Sequence, residues 1–165
     1  MQYRKLQAED FVSYNRIREM ALETKPEAFI STNDEEKAIR KERFNRIIQD
    51  KNNFIIGAFD SDELAGTVVF TRESRKKISH KGLITGMFVS SENRGKGIGL
   101  ILLQTVFDFA FKIDGLRQIG LKVAGTNIGA VKLYEKAGFV SYGLEKDAFC
   151  NNGIFIDDLY MVKFK

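Results

Sequence analysis

The chain has 165 residues, 44% of them hydrophobic and 29% charged, with a net charge of +4 from 26 basic and 22 acidic side chains. That length is enough for one domain burying about two-thirds of its unfolded surface, so residues 1–165 are read as a single domain. The charge balance is too mild to call for nucleic acid, the lone Cys150 excludes an internal disulfide, and no stretch is apolar for long enough to span a membrane. A charged N-terminus without an apolar signal region fits a soluble protein in a reducing, cytoplasmic setting.

Gln2–Leu6 reads as a strand, and Ala8 to about Glu23 as an amphipathic helix with Phe11, Tyr14, Ile17, Met20 and Ala21 on its inner side. Thr24-Lys25-Pro26 stops that helix, because proline disfavours helical geometry at the residue before it. A second helix starts near Asp34, with Thr32–Glu35 or Asn33–Glu36 as a capping box, and its alternating charges predict a solvent-facing element. Asn53–Asp60 and Glu63–Thr71 are strands joined by Ser61-Asp62. The basic residues Arg72, Arg75, Lys76, Lys77, His80 and Lys81 follow with no aromatic between them, as expected of a solvated hairpin tip rather than a base-stacking surface.

Leu83–Val89 is a buried strand, and the run from Gly99 to Phe111 is a helix buried on most sides behind a narrow ridge of Gln104, Asp108 and Lys112. Gln118–Val123 is a further strand. A helix runs from Asn127 to Ala137 with Gly138 as its C-cap, and Phe139–Lys146 and Ile154–Phe164 close the chain as an antiparallel pair.

The segment Arg94-Gly95-Lys96-Gly97-Ile98-Gly99, between strand and helix, carries the chemistry. Its alternating glycines permit positive φ and close ligand approach, successive N–H groups can share one concavity, and the helix dipole adds positive charge there. Such a junction suits a pyrophosphate, with Arg94 and Lys96 at its rim. A Walker A loop is excluded because Ser90 and Gly97 stand where it needs Gly and Ser or Thr. The G-x-G-x-x-G fingerprint is excluded because Leu100 and Leu102 stand at the third glycine position.

What remains, Arg-x-x-Gly-x-Gly after Phe88-Val89, resembles the coenzyme A signature of the GNAT superfamily of N-acetyltransferases. A second segment, Asn127, Ala130, Leu133-Tyr134, Lys136 and Gly138-Phe139, is similar to the same superfamily at the same spacings. The resemblance implies an α+β (mixed α/β) fold: a mostly antiparallel, twisted sheet splayed between strands 4 and 5, with about four helices. It also implies direct transfer of acetyl from acetyl-CoA to a small-molecule or protein N-terminal amine, without metal. Whether the protein is a monomer or a homodimer stays open.

In such proteins the backbone of Met87, Phe88 and Val89 would pair with the pantetheine arm, and the Val89 N–H would face the thioester carbonyl. Arg94, Gly95, Lys96, Gly97, Ile98 and Gly99 would cradle the phosphates. Asn127 matches a pantetheine ligand and equally reads as a helix N-cap; Lys136 reaches adenosine phosphates or is simply solvated. Tyr134 matches the tyrosine that many members use as general acid, against the reading of a packing aromatic. Residues 22–36, including Glu23, Glu27 and Phe29, fall beside the acceptor entrance.

Ser91 replaces a frequent family proline. Thr85 and Gly86 stand where some members carry a basic carboxylate, so the general base is unassigned among Glu23, Glu73, Asp157 and Asp158. Asp157 and Asp158 must point to opposite faces of their strand, so at most one reaches the cleft. The competing readings are a catalytically silent acyl-CoA-binding regulator and a nucleic-acid-binding domain using residues 72–81.

Overall fold

Each face of one sheet is covered by helices, and the alternation of its strands shows how. The computed structural model describes residues 1–165. Strands β1 (Gln2–Lys5), β2 (Phe54–Asp60), β3 (Glu63–Arg72), β4 (Lys81–Val89), β5 (Gln118–Ala124), β6 (Val140–Asn151) and β7 (Ile154–Phe164) lie in the order β1-β2-β3-β4-β5-β7-β6. All neighbours are antiparallel except β4 and β5. In β2, Phe54, Ile56 and Ala58 enter one apolar cluster while Ile55 and Phe59 enter another. A strand buried on both faces reads as a continuous apolar run, which is how residues 54–59 appear in the sequence.

On one face lie α4 (Ile98–Ala110) and α5 (Ile128–Lys136). From α4, Ile98, Leu102, Leu103, Val106 and Ala110 meet Phe54, Ile56, Val68 and Phe70, and Tyr134 of α5 joins the same cluster. On the other face lie α1 (Phe11–Thr24), the short α2 (Asn33–Lys37) and α3 (Arg40–Gln49). Tyr14, Phe44 and Ile47 cover Ile55, Phe59 and Val69, while Ile17 and Ala21 cover Phe88.

Two features of β4 shape the site. Its register with β3 slips between Thr67 and Val69, and Gly86 within that bulge takes φ +60°. A bulge of this kind bends a strand and re-aims its groups. Beyond Lys81↔Gln118, Gly82↔Ile119 and Leu83↔Gly120, β4 and β5 no longer pair. Here the sheet is splayed, as expected between strands 4 and 5.

The predicted elements shift in several places. There are five α-helices rather than about four, because the expected second helix is broken into α2 and α3. Thr32 and Glu35 form the capping box. At the break, Arg40 donates to Asn33 Oδ1 and to Asn15 Oδ1 on α1. Positions seven apart stand about 10 Å apart along a straight helix, so tying both ends of this segment to α1 favours the bend. Nor is the segment simply solvent-facing: Glu36, Arg40, Phe44 and Ile47 are all buried. The polar ridge of α4 is wider than expected, since Ile101 and Phe109 are 39% and 38% exposed. Finally, β4 begins at Lys81 and β6 runs on to Asn151.

Gly82 sits where β4 and β5 still pair, and a Cβ there would collide with the fully buried Phe70 ring. Gly82→Ala should therefore cost about 1–3 kcal/mol, or a fall of roughly 2–12 °C in Tm for a chain of this size. An unchanged melting curve would mean that the ring relaxes freely.

Candidate active site

The glycine loop is a scaffold of unused donors. After β4, Ser90 is buried and accepts from Asn93 Nδ2 at 3.1 Å, while Asn93 Oδ1 accepts from Lys96 Nζ at 3.0 Å. Arg94 Nε donates to the Val89 carbonyl at 3.0 Å, and its guanidinium lies over the Phe88 ring at 5.5 Å. Gly95 and Gly97 take φ +76° and +78°, and Gly97 opens α4 as its N-cap. The backbone N–H groups of residues 95 to 99 donate to no protein acceptor. A Cβ built at Gly95 or Gly97 would meet no protein atom within 4 Å, so the space over both is open. Gly99 differs: a Cβ there would lie 2.9 Å from Leu133 Cδ2, so this glycine also lets α4 approach α5.

A cleft of about 1200 Å³ joins this loop to the splay and continues to the α1 side of the sheet. Met87, Phe88, Val89, Arg94, Gly95, Gly97, Ile98, Gly99, Asn127, Tyr134 and Lys136 line it, and Lys96 does not. Asn127 Oδ1 accepts from the Ala130 N–H at 3.2 Å and caps α5, while no protein hydrogen bond uses its Nδ2. Tyr134 is 6% exposed and packs edge-on against Phe139, yet it also lines the cleft. Burial pushes its phenol well above the ordinary tyrosine range. Lys136 is exposed at the rim.

Of the four carboxylates considered as bases, one reaches the cleft. Glu23 is exposed and near Asn33, and neither it nor Glu73 lines the cavity. Asp157 is held by Lys146 Nζ at 2.6 Å and by the Asp147 N–H at 3.0 Å. Asp158, one residue on, is 4% exposed, lines the cleft and makes no hydrogen bond or ion pair. Burial pushes its carboxyl up, against the pull of the Lys122 charge. In register, Asp158 sits between Ala124 of β5 and Glu145 of β6. Lys122 is drawn off by Glu145 at 3.2 Å.

Glu27 and Phe29, from the predicted acceptor segment, do line the cleft, and so do Arg18, Glu36 and Arg43, which sequence reasoning did not single out. Their signal was present: positions 36, 40, 44 and 47 fall on one helical stripe, and Arg18 lies four residues from Tyr14 on the inner face of α1. None of residues 72–81 lines the cleft, and Arg72 Nε is bound to the Ser79 carbonyl at 2.6 Å. No three His, Cys, Asp or Glu side chains converge as a metal site, and no helix is long and apolar enough to cross a membrane.

The family model for the acetyltransferase (GNAT) family matches residues 14–139. This chain belongs to that family. Spermidine N(1)-acetyltransferase of Vibrio cholerae is 36% identical over 78 residues, covering 47% of this chain and 45% of that protein. The matched stretches span about half the length of the first curated relatives. Solved structures align over nearly all of the fold. The GNAT-family acetyltransferase of Streptococcus pneumoniae superposes with TM-score 0.84 at 26% identity, over 99% of this chain and 98% of that one. The spermidine N-acetyltransferase of Vibrio cholerae, solved with CoA and spermine, gives 0.81 at 25%, over 99% and 94%. The GNAT family thus accounts for the splayed sheet and for the glycine loop beside it.

Three outcomes test the site. Acetyl-CoA at a hundredfold its Kd should raise Tm by roughly 5–10 °C, while ATP or NAD should not. Gly97→Ala should abolish that shift and itself cost about 1–2 kcal/mol for an alanine held at positive φ; a retained shift would detach the loop from cosubstrate binding. For Asp158, the raised folded pKa means its stabilising contribution is full below the unfolded value of about 3.9 and lost as pH rises through the folded one. Asp158→Asn should accordingly raise Tm at pH 8, with the gain shrinking on acidification. A Tm at pH 8 equal to or below wild type would show that the carboxylate has a partner.

Proposed function

We propose that this chain binds acetyl-CoA along residues 87–99 and transfers its acetyl group to a primary amine held with it in a ternary complex. The observation that carries the reading is the run of unused N–H donors at residues 95–99 beneath open space at Gly95 and Gly97. Donors of this kind at a helix N-terminus suit a pyrophosphate, and a Cβ-free surface lets it approach closely. The residues therefore fit the cosubstrate, which supplies the acetyl group already activated as a thioester.

Arg94, Gly95, Gly97 and Gly99 would hold the phosphates, with Lys136 at the rim and Lys96 bracing the loop through Asn93. Met87, Phe88 and Val89 belong to the β4 edge left unpaired by β5, and unpaired strand groups are natural partners for the pantetheine amides. Asn127 has its Nδ2 to offer toward the same arm. The Val89 N–H would face the thioester oxygen, where one donor stabilises developing charge.

Asp158 would receive the acceptor. As an uncompensated carboxylate it favours a cation beside it, and its raised pKa makes it a better proton acceptor than an ordinary aspartate. An α-amine of pKa about 8 needs little more than that. Tyr134, protonated at neutral pH, would give its proton to the departing sulfur. A thiol has a pKa of about 8.5, so transfer from a raised phenol to a free thiolate runs uphill. The proton must therefore move as the C–S bond breaks.

Release of free CoA in the presence of a panel of amines tests the function, and none with any amine would leave a silent acyl-CoA binder. Tyr134→Phe should lower kcat about 10²-fold, within the range of one general acid, and leave the acetyl-CoA shift in Tm intact. Wild-type turnover with chemistry rate-limiting would reduce Tyr134 to a packing residue.

A further inference from the structure

Two buried side-chain polar atoms in this chain lack a hydrogen-bond partner: Arg18 Nη1 and Arg40 Nε. Both residues line one small pocket of about 50 Å³ between α1, α3 and the β4 bulge, together with Glu36, Arg43, Thr85 and Gly86. Leaving a charged donor buried and unpaired is costly, so a pair of them in one cavity points to an occupant.

Both arginines spend their other donors on neighbouring side chains. Arg18 gives Nε and Nη2 to the two carboxylate oxygens of Glu36 at 2.9 and 2.6 Å and stacks on Phe29 at 4.4 Å. Its remaining Nη1 turns to the bulge, 3.9 Å from where a Cβ on Gly86 would stand. Arg40 spends Nη1 and Nη2 on Asn15 and Asn33, and its Nε stays 3.9 Å from Glu36, beyond hydrogen-bond reach. Burial pushes the Glu36 carboxyl up, but the Arg18 hydrogen bonds and the Arg18, Arg43 and Arg40 charges outweigh this and hold it below the usual range. Glu19 lies 3.4 Å from Arg40, and no carboxylate pairs with Arg43. Three guanidinium groups thus face two carboxylates, and the surplus is positive.

The pocket is not isolated. Arg18, Glu36, Arg43, Thr85 and Gly86 also line the large cleft, on the side of the sheet where Asp158 lies. Its volume holds one or two waters, or a group of carboxylate size, and not a whole metabolite. Guanidinium donors match the planar geometry of a carboxylate.

We propose that this pocket is a carboxylate subsite of the acceptor site, so that the acceptor is an amine that also carries a carboxylate, as an amino acid does, rather than a polyamine or a neutral amine. The inference rests on the proposed function and names the class of acceptor. It pairs the two charges of a zwitterion with the surplus positive charge of the Arg18, Arg40 and Arg43 cluster for the acid and with the unpartnered Asp158 for the amine.

The experiment is calorimetric titration of the CoA-saturated protein with each of the common L-amino acids, their carboxamides, and spermidine. At least one acid should bind tenfold or more tightly than its own carboxamide and than spermidine. Arg18→Gln strips a buried carboxylate of its partner and risks misfolding. Arg43→Gln, at an exposed residue outside every ion pair, carries the mutational arm and should cut the acid-over-amide preference severalfold. Equal binding of acid and amide, preference for spermidine, or no acid bound at millimolar concentration would each overturn the proposal and leave the pocket to water. CoA release is read separately on the same panel. Acid binding without release defeats acetyl transfer and leaves the subsite standing, whereas release that ignores the carboxylate defeats the subsite alone.

Discussion

The whole molecule depends on two parallel strands that pair for three residues and then part. A gap inside a sheet exposes backbone donors and acceptors that must find other partners, so it persists only if each strand is secured along its other edge. Here β4 is held by β3 and β5 is paired with β7 over its whole length, from Gln118↔Phe164 to Ala124↔Asp158. The last paired positions are also closely packed, with Gly82 against Phe70. The opening is thus a property of the sheet, and it joins the two faces of the molecule.

That junction divides the chemistry between faces. On the α4 and α5 side stand the glycine loop and Tyr134, on the α1 side Arg18, Glu36 and Asp158. Strand alternation enforces the division, since of the adjacent Asp157 and Asp158 the first is paired with Lys146 and the second is buried in the cleft without a partner. The α1 side carries groups whose burial works against stability: a carboxylate with its pKa raised and two guanidinium nitrogens without partners. Such costs are tolerated in a marginally stable chain when the surrounding core over-determines the geometry. Here α1 and α3 anchor that core through Phe44, Ile47 and Tyr14.

Much of this was legible in the sequence because it rests on local rules. The apolar run of β2, the stripe of α4, the cap at Gly138 and the order of elements follow from periodicity and turn chemistry. Motif spacing led to the family and hence to the splay, a non-local feature that periodicity cannot reach. The break between α2 and α3 was missed because it depends on Arg40 reaching Asn15, twenty-five residues away. The same blindness hid Glu36 and Arg40 as buried residues, because charge in a helix ordinarily means solvent. Asp158 could be narrowed to one of two by alternation, but its choice over Asp157 required knowing which face of β7 is covered.

The proposed cosubstrate and acceptor sites differ in legibility for a physical reason. The first is built from main chain: N–H groups at one strand-to-helix junction, exposed by glycines that must lie a fixed distance apart. Such a device leaves a local signature. The second is built from side chains supplied by α1, α2, α3, the β4 bulge and β7, each reaching the cleft from a different part of the sequence. Nothing fixes their spacing, and each residue is free to change while the fold stands. A scaffold of this kind keeps one partner constant through backbone geometry and leaves the other to side-chain charge. In this chain that charge is a surplus guanidinium on one wall and a bare carboxylate on another, an arrangement that favours an acceptor carrying both signs.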